Sequence, residues 1–310
     1  MMVISVVIPS YNRADTVGQT IDSIIAQKVD AQLEIVIGDD CSTDNAREVL
    51  QEYKNRYPDS IRLIFQEHNI GLGANWATCV KACTGKYICN CDNDDYWHNP
   101  EKLMIQLEYM ETHPQSNVLI TNHRIHNRKT GEIIEQEAYI DRSIPLQQAF
   151  FQGRERFCNA SIMYRADFLK EHLPLDDFIE RQFTLQDWTA WIILAAYTDF
   201  DIIPVSTATF GIETTSITRP DSIDKLKKRM EKEEDCYRYC CGLFPDKLTF
   251  NEGGWNSYVN RLLLSAAYRE GNFEEAKKYA SKIKGVPSIK ILCAKNKLSF
   301  RVYNFIRKIK

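Results

Sequence analysis

Four oxygen-bearing side chains stand in succession at Asp92-Asn93-Asp94-Asp95, where the apolar run over residues 87–91 stops and Tyr96-Trp97 begins. Like charges gathered at a strand end repel one another unless a cation sits among them. Mg²⁺ or Mn²⁺ suits such a place, because it takes oxygen ligands, commonly one or two carboxylates completed by water and phosphate oxygens. An acidic turn whose aspartates cap the following helix is the competing reading, and the cluster alone does not choose between them. A second acidic segment, Gly38-Asp39-Asp40-Cys41-Ser42-Thr43-Asp44, also follows an apolar run. A carboxylate there can accept hydrogen bonds from a nucleobase N–H or from ribose hydroxyls, while Ser42 or Thr43 is expected to cap the next helix.

The elements that must hold these groups alternate between strand and helix. Residues 3–8, 33–37, 61–65, 87–91 and 118–121 read as strands. Asp15 is placed to cap a helix carrying Val17, Ile21, Ile24 and Ile25 on one face, and Trp76, Val80 and Cys83 mark another helix. Asn99-Pro100-Glu101 offers a capping Asn, a first-position Pro and a first-turn acid, the signature of a helix start. This alternation implies an α/β fold whose sheet is parallel or mostly parallel, with helices on both faces. Ligands of such sheets bind beyond the carboxyl ends of the strands, which is where both acidic clusters lie. From about residue 221 the sequence turns to charged helical segments at 224–239, 255–268 and 273–283, with Pro245 and Gly253-Gly254 as interruptions. The expected organisation is a main domain over 1–220 and a helical C-terminal region over 221–310. The helices joined around Gly271-Asn272 look like one tetratricopeptide-like unit, and a single copy does not make a repeat fold.

Order and spacing carry more than either cluster. The run Val6-Val7-Ile8-Pro9-Ser10-Tyr11-Asn12-Arg13, then residues 34–44, Asn69-Ile70-Gly71, Gly85-Lys86-Tyr87-Ile88, and Asp92 to Trp97 with Pro100-Glu101-Lys102-Leu103 resembles the inverting glycosyltransferase family 2 across about the first 110 residues. The resemblance implies a GT-A fold, Rossmann-like with a mostly parallel central sheet, and transfer of a sugar from a nucleoside-diphosphate donor, of the UDP type, to a hydroxyl of a glycan or lipid-linked glycan. It places Pro9, Tyr11, Asp39 and Asp92 at nucleotide-binding positions, Asp39 against the base edge. Asp92 and Asp94 match the aspartate-x-aspartate element that holds Mn²⁺ or Mg²⁺ and, through it, the diphosphate, with Asp95 as a helper. Past residue 150 the likeness loosens: Cys158 to Arg165 looks like the acceptor-side strand, and Leu185-Gln186-Asp187-Trp188 like the segment bearing the catalytic base, Asp187. An acid heading the apolar helix over 188–196 is the plain structural reading of Asp187. One departure stands out. The family's aromatic-Arg-x-His stretch is replaced by Phe210-Gly211-Ile212-Glu213-Thr214-Thr215-Ser216, so another basic residue, such as Arg219, must serve if one is needed.

The bulk properties agree with an ordinary enzyme. The chain of 310 residues is 44% hydrophobic and 26% charged, with a formal net charge of −3, which argues against a nucleic-acid binder. The N-terminus lacks a basic region before its apolar run, and no stretch approaches the roughly 18–20 apolar residues of a spanning helix. Ten cysteines without an export signal are expected as reduced core thiols, and the expected location is cytoplasmic. Cys79, Cys83, Cys89 and Cys91 fall on one helix and one strand, a poor geometry for zinc. Gly71-Leu72-Gly73 lacks the context of a dinucleotide fingerprint, and His123 and His126 read as surface or acceptor-groove residues. Residues 287–310 contain no acid, and Leu298, Val302, Phe305, Ile306 and Ile309 share one helical face near Arg301, Arg307, Lys308 and Lys310. Such a helix can lie peripherally on the inner face of the cell membrane or pack the same face on the helical region. Two rival functions fit the residues less well. A nucleotidyltransferase needs a Gly-rich basic phosphate loop that residues 10–15 do not supply, and a binding module without turnover is disfavoured by intact Asp92, Asp94 and Asp187.

Overall fold

The first strand, β1 (Val3–Ser10), is apolar on both faces because it is covered on both, and the sheet grows outward from it. The computed structural model describes residues 2–212, 222–283 and 288–309. They pack as two compact units, Met1–Thr214 and Thr215–Lys310.

In the first unit the strands after β1 are β2 (Gln32–Asp39), β3 (Ile61–Phe65), β4 (Tyr87–Asn90), β5 (Tyr96–Trp97), β6 (Val118–Asn127), β7 (Glu132–Gln136), β8 (Tyr139–Ile140), β9 (Glu155–Arg156), β10 (Ile162–Arg165) and β11 (Phe200–Ile212). The helices are α1 (Val17–Ile25), α2 (Ala46–Arg56), α3 (Leu72–Ala82), α4 (Lys102–Thr112), α5 (Leu146–Phe151), α6 (Ala166–His172), α7 (Leu175–Arg181) and α8 (Gln186–Leu194). Nine of the described strands form one sheet in the order β3-β2-β1-β4-β10-β6-β11-β5, with β7 paired to β6. β3, β2, β1, β4, β6 and β11 run one way and β10, β5 and β7 the other, so the sheet is mixed and mostly parallel. After β1 the chain adds strands on one side and returns to place β4 on the other. This reversal opens a crevice at the carboxyl ends of β1 and β4.

The two faces are covered by different helices. Ile4, Val6, Ile8, Ile35 and Ile37 pack with Val17, Ile21 and Ile24 of α1, Leu50 of α2, and Leu103 and Met110 of α4. α3 packs on the opposite face of β1 and β2, closely enough that a Cβ on Gly38 would meet Asn75 Oδ1 at 2.4 Å and Cys79 Sγ at 2.5 Å. All ten cysteines are unpaired; Cys79, Cys83, Cys89 and Cys91 are buried, and burial pushes their thiols up, Cys83 to about 12, which disfavours zinc thiolates.

Several local expectations change. α1 is headed by Thr16, not Asp15. Ser42 and Thr43 do not cap α2: the Ser42 hydroxyl accepts from the Asn12 amide at 2.9 Å, tying two loops together, and Asp44 Oδ1 accepts from the Ala46 amide at 3.0 Å instead. α4 begins at Lys102, with Asn99 Oδ1 accepting from the Glu101 amide at 2.9 Å ahead of it. β6 continues to Asn127 because β7 folds back on it as a hairpin.

The second unit is helical: α9 (Ile223–Leu243), α10 (Glu252–Glu270), α11 (Phe273–Lys282), α12 (Ile289–Cys293) and α13 (Lys297–Ile309). Gly253-Gly254 does not interrupt it but forms the first turn of α10, where Asn251 Oδ1 accepts from the Gly254 amide at 2.9 Å. α10 ends at Gly271 in the left-handed region and α11 starts at Asn272, whose side chain accepts from the Glu275 amide. Leu263, Ala267, Tyr268, Ala276, Tyr279 and Phe300 lie in its core.

Candidate active site

The site is built where β1, β2 and β4 end. Near the end of β1, Pro9 is buried, and just beyond it Tyr11 is 42% exposed, available for stacking. Asn12 is held at φ 50°, its amide donating to Ser42 Oγ and its Oδ1 accepting from the Thr43 amide at 2.7 Å. At the end of β2, the two neighbouring aspartates divide their work. Asp40 is consumed by the fold: its two oxygens accept from the amides of Ile70 at 2.7 Å and Gly71 at 2.9 Å, pinning the loop before α3. Asp39 is fully buried, and its Oδ2 accepts from Arg47 Nε at 2.5 Å and the Ser42 amide at 3.1 Å. Its Oδ1 is buried with no hydrogen-bond partner among the described residues. A buried carboxylate oxygen without a donor is costly, and the group that fits it is an N–H or O–H donor arriving from a ligand.

The acidic segment after β4 is a turn fastened from three sides. The Asp95 amide donates to Asp92 O at 2.9 Å, the hydroxyls of Thr16 and Thr20 on the α1 side donate to Asn93 O at 2.8 Å and Asp95 O at 2.6 Å, and Asn93 Nδ2 donates to Ser10 Oγ at 3.1 Å. The bulged strand β11 closes the third side. Its Gly211 amide donates to Asp95 Oδ1 at 2.9 Å, while Asp95 Oδ2 is buried without a partner among the described residues. Asp92 is reached through a relay: Trp76 Nε1 donates to Asn90 Oδ1 at 3.1 Å, Asn90 Nδ2 to Asn159 Oδ1 at 2.9 Å, and Asn159 Nδ2 to Asp92 Oδ1 at 3.5 Å. Asp94 faces Arg13, with Nε 3.5 Å from Oδ2, and Arg128 Nη2 donates to its carbonyl at 2.8 Å.

These carboxylates strain against one another. Burial, followed by the charges of Asp94 and Asp187, pushes Asp92 up to about 7. Burial and the charges of Asp92 and Asp94 carry Asp95 well above its ordinary value, against the Gly211 amide and Arg128. Asp187 enters from the first turn of α8, remote in sequence, and is raised by burial against the amides of Trp188 and its own residue. Glu155, on β9, is pushed up to about 7 by burial and then by Asp187, with its Oε2 buried and unpartnered among the described residues. Among the described residues no three His, Cys, Asp or Glu side chains are arranged to hold a metal ion unaided. The donor set nevertheless fits a hard divalent ion that takes one or two carboxylates from the protein and the rest from phosphate and water.

Thr16, Thr20, Arg47, Asn90, Arg128, Glu155, Asn159 and Gly211 are parts of this site that the sequence did not mark. Two of them carried a signal: Gly211, as a glycine inside the stretch that departs from the family pattern, and Asn159, inside the stretch from Cys158 to Arg165 that looks like the acceptor-side strand. Arg219, named as a substitute for the missing cation, lies outside the described residues; Arg13 and Arg128 are the cations seen at the acidic turn.

The model for "Glycosyl transferase family 2" matches residues 5–173, which span the turn, its strands and Asn159. The chain belongs to this family. Among its relatives, an uncharacterized glycosyltransferase of Nostoc sp. is 33% identical over 182 residues, 56% of this chain and 54% of the relative. A putative glycosyltransferase of Bacillus subtilis, EpsE, is 31% identical over 163 residues, 53% of this chain and 56% of the relative. Uncharacterized mycobacterial proteins, such as one from Mycobacterium bovis, are 38% identical over 114 residues, so this chain spans a third to just over half the length of these curated relatives. The structure of S. aureus TarS 1–349 is similar over 98% of this chain and 89% of that one, with a TM-score of 0.58 at 15% identity. That likeness shows the fold, and the mixed sheet flanked by helices is of the GT-A type. Among the described residues no helix is long and apolar enough to cross a membrane.

Proposed function

We propose that the chain is an inverting transferase that moves a sugar from a UDP-type nucleotide sugar to a hydroxyl of a glycan or lipid-linked glycan. The observation that carries this reading is that Asp187, brought from remote sequence in the first turn of α8, is close enough for its charge to help raise Asp92 in the acidic turn. A proton acceptor beside a phosphate-binding turn is what displacement at an anomeric carbon requires. Related solved structures support the donor class: TarS has been determined with UDP and with UDP-GlcNAc, and a mannosyltransferase of Pyrobaculum calidifontis with GDP-Man and Mn²⁺. Relatives named for teichuronic acid biosynthesis and for glucosyl transfer to a diphosphoundecaprenol-linked sugar support a bacterial surface polymer or its lipid-linked precursor as acceptor.

In this mechanism Asp39 Oδ1 accepts from the base edge, with Arg47 holding the carboxylate in place, and the exposed ring of Tyr11 beside Pro9 stacks on the nucleoside. Asp92 and Asp94 would hold Mn²⁺ or Mg²⁺, with Asp95 supporting the turn from within. When bound, the ion would supply Lewis-acid neutralisation of the departing diphosphate. Asp187 takes the proton of the acceptor hydroxyl as its oxygen bonds to the anomeric carbon. The bond from that carbon to the diphosphate oxygen breaks on the opposite face, and its electron pair leaves with the nucleotide. Screening nucleotide sugars for thermal stabilisation and Mn²⁺-dependent hydrolysis tests the reading. Stabilisation by one UDP-sugar with metal is expected, and indifference to every nucleotide sugar would overturn it.

A further inference from the structure

One side of α13 is accounted for and the other is not. Phe300 is 3% exposed, stacks on Tyr268 with ring centroids 4.5 Å apart, and meets Phe273 edge-on at 5.6 Å. These contacts seat the helix on the core of its own unit. Away from that seat, Leu298 is 72% exposed, Val302 51%, Phe305 68% and Ile306 51%. Their spacing of four, three and one residues draws them into a single stripe on the helix. Ile289 and Leu292 of α12 add two more exposed aliphatic side chains. The alternative that the face of Leu298, Val302, Phe305 and Ile306 packs on the helical region is therefore not met: Phe300, on the other side of the helix, does the packing, and the stripe beginning at Leu298 is left exposed.

Charge selects the partner. Lys297 and Arg301 are exposed and run parallel to the stripe at the same four-residue spacing. From Ala276 to Lys310 the sequence holds eleven Lys and Arg and no Asp or Glu, in a chain whose formal net charge is −3. A two-fold contact with a second copy would set this cationic face against itself. A bilayer bearing anionic lipid offers the opposite: hydrocarbon for the stripe, and phosphates for ammonium and guanidinium heads at the ends of flexible stems.

We infer that α12 and α13 form a docking face for an anionic lipid surface. The inference goes beyond the transferase reading and does not rest on it, because its test contains no sugar step. The full chain is floated with vesicles of phosphatidylcholine alone and with vesicles that also contain phosphatidylglycerol. It is expected to rise with the second kind and to be released by salt. Leu298→Ser combined with Phe305→Ser changes only exposed side chains, so circular dichroism should be unchanged while the bound fraction falls about tenfold. Lys297→Glu combined with Arg301→Glu should lower it as well. No flotation with anionic vesicles, equal flotation with neutral ones, or a double serine variant that binds like the wild type would each overturn the inference. So would a concentration-dependent dimer in light scattering that the serine variant abolishes without any flotation, which assigns the face to a second copy.

Discussion

Gly211 is where a single methyl group should be felt most. A Cβ built on its backbone would lie 2.3 Å from the Asp94 carbonyl oxygen and 3.0 Å from Arg128 Nε. Carbon and oxygen in contact need more than about 3 Å, so Gly211→Ala forces β11 and the acidic turn apart. Overpacking of this kind costs about 1–3 kcal/mol. The separation also stretches the 2.9 Å hydrogen bond from the Gly211 amide to Asp95 Oδ1. Since Asp95 Oδ2 already lacks a partner among the described residues, weakening that bond leaves a buried carboxyl poorly satisfied, at about 1–3 kcal/mol more. The expected loss is about 2–6 kcal/mol, a large share of the stability of a domain of this kind. Urea unfolding of the full chain followed by tryptophan fluorescence measures it, and calorimetry of UDP with Mn²⁺ measures the site. The midpoint should drop by the corresponding amount, and UDP should bind at least about tenfold more weakly, because the Asp94 backbone moves with its side chain. Stability within about 0.5 kcal/mol of wild type together with unchanged UDP affinity would refute the reasoning.

Three further outcomes are expected. Asp94→Ala should remove the Mn²⁺-dependent part of UDP affinity and spare the metal-free part, and calorimetry showing undiminished affinity with Mn²⁺ would exclude Asp94 as a ligand. Asp187→Asn should keep donor binding and slow transfer by about 10²–10⁴, the range for a lost general base, so near-normal turnover would end its candidacy. His123 is buried, with Nδ1 unpartnered among the described residues, and burial lowers it to about 4 from an ordinary 6.5. A depressed imidazole contributes stability that is complete above pH 6.5 and is lost as pH falls toward 4, by about 3 kcal/mol. Asp92 and Glu155, both raised to about 7, act in the opposite sense over an overlapping window, their contributions being lost as pH rises from about 4 to about 7. The stability difference between wild type and His123→Gln isolates the histidine, and a difference that does not change between pH 7 and pH 4 would contradict the assignment.

Much of this protein was legible without coordinates, for a local reason. Strand and helix periodicity are properties of neighbouring residues, so an acidic run that follows an apolar run can be placed at a strand end from the sequence alone. The acidic turn after β4, Asp39 at the end of β2 and the α/β class with a mostly parallel sheet were within reach of that logic, while the family was legible through the resemblance its motifs carry. Capping was less legible. Asp15, Ser42 and Thr43 are good capping types, yet Ser42 was recruited to the Asn12 loop, because a hydroxyl between two loops has more than one donor to choose from.

Chain packing decided the rest. Asp39 and Asp40 are adjacent and chemically identical in sequence; only the fold spends both oxygens of Asp40 on the amides of Ile70 and Gly71 and leaves one oxygen of Asp39 open. The charge of Asp187 reaches Asp92, and the Gly211 amide meets Asp95, across chain separations that no periodicity records. The C-terminal helix makes the same point. Its amphipathic pattern is plain in the sequence, but two apolar sides compete for one core, and only the packing of Phe300 on Tyr268 shows that the stripe from Leu298 to Ile306 faces outward. Residue types and local spacing determined what chemistry this protein carries. Contacts between distant segments determined which oxygen, which amide and which face are left free to perform it, because burial and hydrogen bonding are settled between elements and not within them.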